Sequence, residues 1–241
     1  MAPLLEVRDV TVRFGGLSAL DSVQLDLRSG EVTGLIGPNG AGKTTLFNVI
    51  SGLQVPTAGR VLVDGEDVSK LKPFKRARRG VARTFQRLEV FGSLSVRENV
   101  LVAAELGDRR DEASAAVDEL LDRIGLTGVA EERVESLPTG LARLVELGRA
   151  LALGPRLLLL DEPSSGLDQG ESEAFGDLLL ELAADGLGIL LVEHDVELVM
   201  RVCHRIFVLD FGQIIAEGTP QEVQRNERVQ EAYLGTAAGA A

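Results

Sequence analysis

Short apolar runs, each closed by glycines or acids, divide most of this chain. Val32-Thr33-Gly34-Leu35-Ile36, Leu157–Asp161 and Gly188–Val192 are apolar on both alternating faces. Strands of that kind lie at the centre of a parallel sheet, buried on both sides. Arg205–Asp210 predicts a further strand. Elsewhere the period lengthens to that of helices. Ala113–Ile124 sets Ala116, Val117, Leu120, Leu121 and Ile124 at helical spacing. The helical pattern runs from about Ser95 to Leu153, with a second helix from about Leu141, and returns at Glu171–Ala183 and Val196–Val202. Leu4 to Leu27 alternates instead, as in Val23-Gln24-Leu25-Asp26-Leu27, and turns at Gly15-Gly16 and Ser29-Gly30 predict short strands. Gly59–Val63 predicts another, ended by Asp64-Gly65. Lys72–Arg79 reads as a basic surface segment, and Thr236–Ala241 as a frayed low-complexity tail. Strands alternating with helices predict an α/β fold, a parallel sheet covered on both faces.

The strand at Val32 leads into Gly37-Pro38-Asn39-Gly40-Ala41-Gly42-Lys43-Thr44-Thr45 and then into Leu46-Phe47-Asn48-Val49-Ile50. Strand, glycine loop and helix in that order fit the phosphate-binding pattern G-x-x-x-x-G-K-[ST]. The glycines let backbone N–H groups converge on a phosphate. The helix start adds the positive end of its dipole. Lys43 would reach the outer phosphates, and the Thr44 hydroxyl would ligate Mg²⁺.

Composition narrows the partners. Net charge is −12, so a broad electrostatic grip on nucleic acid is not expected. The chain holds 4 Lys against 21 Arg, which makes a lysine at position 43 a choice. Arg is a wide planar fork, whereas this loop needs a point charge. No apolar run approaches the roughly 20 residues of a membrane span. The first residues, Met1-Ala2-Pro3-Leu4-Leu5-Glu6, do not resemble a signal peptide, and the single cysteine, Cys203, fits a reducing compartment.

Leu157-Leu158-Leu159-Leu160-Asp161-Glu162 would deliver two carboxylates to the C-terminal edge of the sheet, where ligands of open α/β sheets bind. Beside a phosphate loop, Asp161 is expected to hold Mg²⁺, directly or through water. Glu162 is expected to polarise an attacking water as general base. The plainer alternative is a strand followed by an acidic turn.

With these motifs in order, the chain resembles the ATP-binding subunits of ABC transporters from about Leu5 to Leu234. Arg83-Thr84-Phe85-Gln86, Val192-Glu193-His194-Asp195, Glu217-Gly218-Thr219-Pro220 and Glu231-Ala232-Tyr233-Leu234-Gly235 are similar to the ATPases of branched-chain amino-acid, amide and urea importers. The resemblance implies a P-loop NTPase (RecA-like) core over residues 1–241, with an N-terminal antiparallel β subdomain. It also implies an inserted helical subdomain at about 88–153 and a short helical tail at about 219–235.

The resemblance carries roles residue by residue. Gln86 looks like the glutamine that senses Mg²⁺ and the attacking water. His194 looks like the switch histidine at the γ-phosphate; His204 has no such context and reads as structural. Ser164-Ser165-Gly166-Leu167-Asp168 is similar to the loop that aligns two sites across an ATPase dimer, through Ser165, Gly166 and Asp168; taken alone it is a turn and a helix cap. Phe14 stands where an aromatic stacks on adenine, with a core phenylalanine as the rival reading.

The family's signature, Leu-Ser-Gly-Gly-Gln, is replaced by Leu137-Pro138-Thr139-Gly140-Leu141. Pro138 has neither hydroxyl nor N–H, so only Thr139 and Gly140 remain to face a partner's ATP; Pro138 also suits a plain helix start. This departure suggests a non-identical second ATPase subunit. The resemblance further implies ATP and Mg²⁺, separate integral membrane permease subunits, a solute-binding protein acting indirectly, and no nucleic acid. It implies a peripheral place on the cytoplasmic face of the plasma (inner) membrane. Leu88, Val90, Phe91 and Leu94 are the apolar candidates for the permease contact, with membership of the local core as the rival reading. The motor of a lipid or lipopolysaccharide exporter is the alternative. A nucleic-acid-linked ABC ATPase would usually carry two cassettes or a coiled coil, and a P-loop kinase would lack Ser164–Asp168 and His194.

Overall fold

The computed structural model describes residues 2–106 and 113–238. Two sheets form its frame. β1 (Leu5–Phe14) and β2 (Leu17–Leu27) are long antiparallel partners, joined to β4 (Ala58–Val63) and β5 (Glu66–Asp67) in the order β2-β1-β4-β5. The alternation predicted short pieces here. Register shifts at Val7/Val10 and Val10/Val12 break the period without ending the strands.

The second sheet holds β3 (Val32–Ile36), β6 (Val81–Arg83), β7 (Leu157–Asp161), β8 (Gly188–Val192), β9 (Arg205–Asp210) and β10 (Gln213–Gly218), in the order β10-β9-β3-β8-β7-β6. All pairs are parallel except β9 with β10. β3, β7 and β8 are buried at every position, as their unbroken apolar runs require. β6 and β10 were not predicted: β6 is three residues long, and β10 is a half-buried edge strand.

The helices are α1 (Lys43–Ser51), α2 (Pro73–Ala77), α3 (Val96–Ala104), α4 (Ala113–Arg123), α5 (Thr139–Leu151), α6 (Gln169–Ala184), α7 (Val196–Val202), α8 (Pro220–Gln224) and α9 (Glu227–Ala238). One core, including Leu46, Phe47 and Ile50 of α1, lies between the two sheets. A second joins the other face of the parallel sheet to α6 and α7. A third, around Val100, Leu121, Ile124 and Val145, belongs to α3, α4 and α5. Leu88 and Val90 are partly buried against that third core, so of the apolar candidates near Gln86 only Phe91 is broadly exposed.

The basic stretch Lys72–Arg79 is not wholly surface. Arg76, on α2, is 1% exposed. Its guanidinium donates to Val49 O (2.6 Å) and Ile50 O (2.7 Å) in the last turn of α1, and to Ser69 O (3.0 Å) and Leu71 O (3.1 Å). The last carbonyls of a helix have no partner within it, and a cation suits that negative end. Burial pushes the Arg76 guanidinium down to about 10. His204 is also structural: its Nδ1 accepts from the Val32 N–H at 3.1 Å.

Candidate functional site: four loops at one sheet edge

The C-terminal ends of β3, β6, β7 and β8 open onto the same edge, because these strands are parallel. They release the Gly37–Thr45 loop, Gln86, Asp161 with Glu162, and His194 respectively.

The glycine loop leaves no room for other residues at two points. A Cβ at Gly37 would lie 2.0 Å from Leu209 O. Gly42 precedes α1 at φ +112°, and a Cβ there would lie 2.7 Å from Ala19 O. Lys43 is buried, and its Nζ donates to Gly37 O (2.6 Å) and Pro38 O (3.0 Å). Burial lowers its pKa, opposed by the carboxylates of Glu162 and Asp161. Pro38 and Thr45 are half-buried, Ala41 is buried, and Asn39, Gly40 and Thr44 are exposed.

Asp161 ends β7 and is buried. It pairs with Arg83 on the neighbouring β6: Nη2 lies 3.0 Å from Oδ2, both side chains being under a tenth exposed. Arg83 also donates to Asn48 Oδ1 at 2.6 Å and lies over the rings of Phe47 and Phe85. Burial raises the Asp161 carboxyl and lowers the Arg83 guanidinium, and each opposes the shift of the other.

Glu162 follows at φ +51°, a left-handed turn uncommon for a residue with a long side chain. Its carboxylate is held from both sides. Gln86 Nε2 donates to Oε2 at 3.0 Å, and His194 Nε2 lies 3.1 Å from Oε1. Three residues predicted separately, 32 and 76 positions apart from Glu162, therefore meet.

Gln86 is positioned by α5. Arg143 donates to Gln86 O (2.6 Å) and Phe85 O (3.0 Å), while Glu146 Oε1 accepts from the Phe85 N–H at 3.3 Å. Burial raises the Glu146 carboxyl, partly offset by the Phe85 N–H and by Arg143. Arg149 stacks on Phe91, its carbon centre 4.6 Å from the ring centroid, and donates to Glu89 O.

The segment Leu137–Leu141 starts α5 with Pro138 at the N-cap position, where no side chain caps the helix. Thr139 is exposed; Gly140 is buried, 2.8 Å from Leu167 Cδ2 for a Cβ placed there. Thr139 Cγ2 would lie 3.1 Å from a Cβ on Gly166, so the two segments expected to face a partner lie side by side within one chain. Ser165 is exposed. Asp168 caps α6, its Oδ1 accepting from the Glu171 N–H at 2.8 Å. Phe14 ends β1 and is 52% exposed, which removes the core-phenylalanine alternative.

Residues 20–165 match the family described as ABC transporter. The chain belongs to this family. Residues 213–239 match a second family, described as branched-chain amino acid ATP-binding cassette transporter. BraF of Pseudomonas aeruginosa, a high-affinity branched-chain amino acid transport ATP-binding protein, is 38% identical, covering 98% of this chain and 99% of the relative. LptB of Haemophilus influenzae, a lipopolysaccharide export system ATP-binding protein, is 35% identical over 96% of this chain and 97% of its own. Among solved structures, the ADP conformation of MJ1267, an ATP-binding cassette of an ABC transporter, aligns with a TM-score of 0.88 at 31% identity. It covers 98% of this chain and all of that one.

As an ABC ATPase the chain binds and hydrolyses ATP. Its oxygen donors fit Mg²⁺. Among the described residues no three of His, Cys, Asp or Glu converge as a metal cage. Mg²⁺ does not need one, because it takes one or two carboxylates with phosphate oxygens and water. Among the described residues no helix is long and apolar enough to cross a membrane. Arg83, Arg143 and Glu146 were missed by sequence reasoning. The available signal was a charge inside an otherwise apolar run, which Glu146 in Val145-Glu146-Leu147 displays.

Proposed function

We propose that this ABC ATPase is the motor of an importer for branched-chain amino acids or similar small polar or amide solutes. Two findings support the reading: the match of residues 213–239, and whole-chain similarity to BraF. For the chemistry, the supporting observation is the Glu162 carboxylate held between Gln86 and His194 beside the Lys43 loop. Glu162 takes the proton of the attacking water. His194 and Gln86 orient Glu162 and register the outer phosphate, and Phe14 stacks on the base. Thr44, Gln86 and Asp161 would hold Mg²⁺, which neutralises charge on the phosphates when bound. Residues 1–241 act as one ATP-binding domain, the helices of about 88–153 swinging as an inserted unit and about 219–235 forming a short tail.

The chain works on the cytoplasmic face of the plasma (inner) membrane, against permease subunits and a second, non-identical ATPase. A solute-binding protein acts on the far side, and nucleic acid takes no part. Its Ser165-Gly166-Asp168 loop aligns the dimer, while Thr139 and Gly140 form a weakened clamp on the partner's ATP. Copurification from native membranes tests this: a multispan permease with a solute-binding protein supports import, and a lipid-export assembly favours the LptB-like alternative. Cooperative hydrolysis by the lone subunit would sink the mixed pair. A Pro138→Ser change that leaves turnover of the mixed complex unaltered would sink the clamp.

A further inference from the structure

Glu193, between β8 and His194, takes no part in the chemistry described so far. It is 6% exposed, although it directly follows β8 at the open edge of the sheet. Both of its oxygens accept from main-chain N–H groups, and the donors belong to different loops. Oε1 accepts from Ser164 at 2.7 Å, in the loop that follows Glu162. Oε2 accepts from His194 at 3.0 Å. Bonds from N–H groups to an ionised carboxylate are about twice as strong as neutral ones.

Packing does not supply the same restraint. Glu193 and His194 line a cavity of about 340 Å³, walled by Ile36, Val199, Val223 and Val229. The His194 side chain is half exposed and meets Glu162 through Nε2. A ring with open space on one side and solvent on another takes its direction from its backbone. The Glu162 N–H donates to Val192 O at 2.9 Å, and Glu193 extends that join past the strand end, to His194 on one side and Ser164 on the other.

We propose that Glu193 is the positioning residue of the switch: it ties the His194 backbone to the Ser164–Asp168 loop, so that the imidazole meets Glu162 and movement of either loop is carried to the other. This rests on the role proposed above for His194.

The test begins with Glu193→Gln, which keeps the shape but turns an NH₂ toward one of the two N–H donors. Loss of one charged hydrogen bond, about 1.4 kcal/mol, predicts a kcat about tenfold lower. KM for ATP should stay within about twofold, because Lys43 and its loop are untouched. In a His194→Ala background the same change should cost less than about twofold, since the positioned group is gone. The second readout needs no turnover. The chain has two histidines, and His204 is fixed by Val32, so it serves as an internal reference in imidazole NMR of the nucleotide-free protein. Glu193→Gln, or Glu193→Asp should the first variant fold poorly, should shift the His194 resonance and leave His204 in place. An unmoved His194 resonance overturns the tether. So does a loss of turnover that is undiminished in the His194→Ala background. If His194→Ala alone leaves turnover intact, the switch role of His194 fails, while the NMR result still decides the tether.

Discussion

Removing the Arg83 guanidinium should damage this protein more than removing the pair it belongs to. Arg83 and Asp161 are 3.0 Å apart with side-chain exposures of 7% and 5%. Arg83→Met keeps much of the volume and leaves Asp161 as a buried charge without its partner. Breaking a buried pair in this way costs about 3–5 kcal/mol, and in a chain of this size each kcal/mol lowers the melting temperature by about 2–4 °C. The expected fall is therefore about 6–20 °C at pH 7. Adding Asp161→Asn removes the stranded charge and should return most of the loss. The pH dependence has a definite sign. Burial already raises the Asp161 carboxyl, and Arg83 is the main influence lowering it. Without Arg83 the folded carboxyl binds its proton more tightly than the unfolded one, whose value is about 3.9. Stability of the variant relative to the parent therefore falls as pH rises from about 4 toward 7. Thermal and urea melts of the parent, Arg83→Met and the double variant, at pH 5 and 7 in magnesium-free buffer, check all three statements. A single-variant loss under about 1 kcal/mol, or no recovery in the double variant, would refute the reasoning.

Three further predictions follow from the same geometry. Glu162→Gln keeps an acceptor between Gln86 and His194 but loses the base, so turnover should drop about 10²–10⁴-fold and ATP should accumulate on a dimer seen by size exclusion. Lys43→Ala should abolish ATP binding in a calorimetric titration while leaving the melting temperature within a few degrees. Arg76→Met would take the guanidinium from four carbonyls, of which Val49 O keeps the Gly52 N–H at 3.3 Å, so it should lower stability by about 3–5 kcal/mol in urea melts, without changing the KM for ATP of the protein that remains folded.

The apolar patterning made the parallel sheet legible. Leu157–Asp161, Val196–Val202 and Arg205–Asp210 have the bounds that their patterns imply. The weak points were elements whose formation depends on a distant neighbour. β6 is three residues long and exists because it pairs with β7. Arg76 looked like surface charge because the carbonyls it satisfies, Val49 and Ile50, lie 27 and 26 positions earlier. Positively charged stretches carry no mark that says which member turns inward.

The same contrast separates the parts of the site. Gly37–Thr45 is one continuous stretch, a glycine loop running into the first turn of α1, so its pattern can be read from spacing alone. The charges that hold the loops together act across 78 positions for Arg83 and Asp161, 57 for Arg143 and Gln86, and 29 for Glu193 and Ser164. No local pattern can encode such pairs; only the convergence of parallel strand ends brings them together. These tethers link β6, β7, β8 and α5 by charged hydrogen bonds at the sheet edge that carries the candidate ATP site. A shift of Gln86 is therefore felt by α5 through Arg143, and a shift of His194 by the Ser164–Asp168 loop through Glu193. The family is thus legible from the chain's motifs, whereas the tethers between its loops are legible only from the fold.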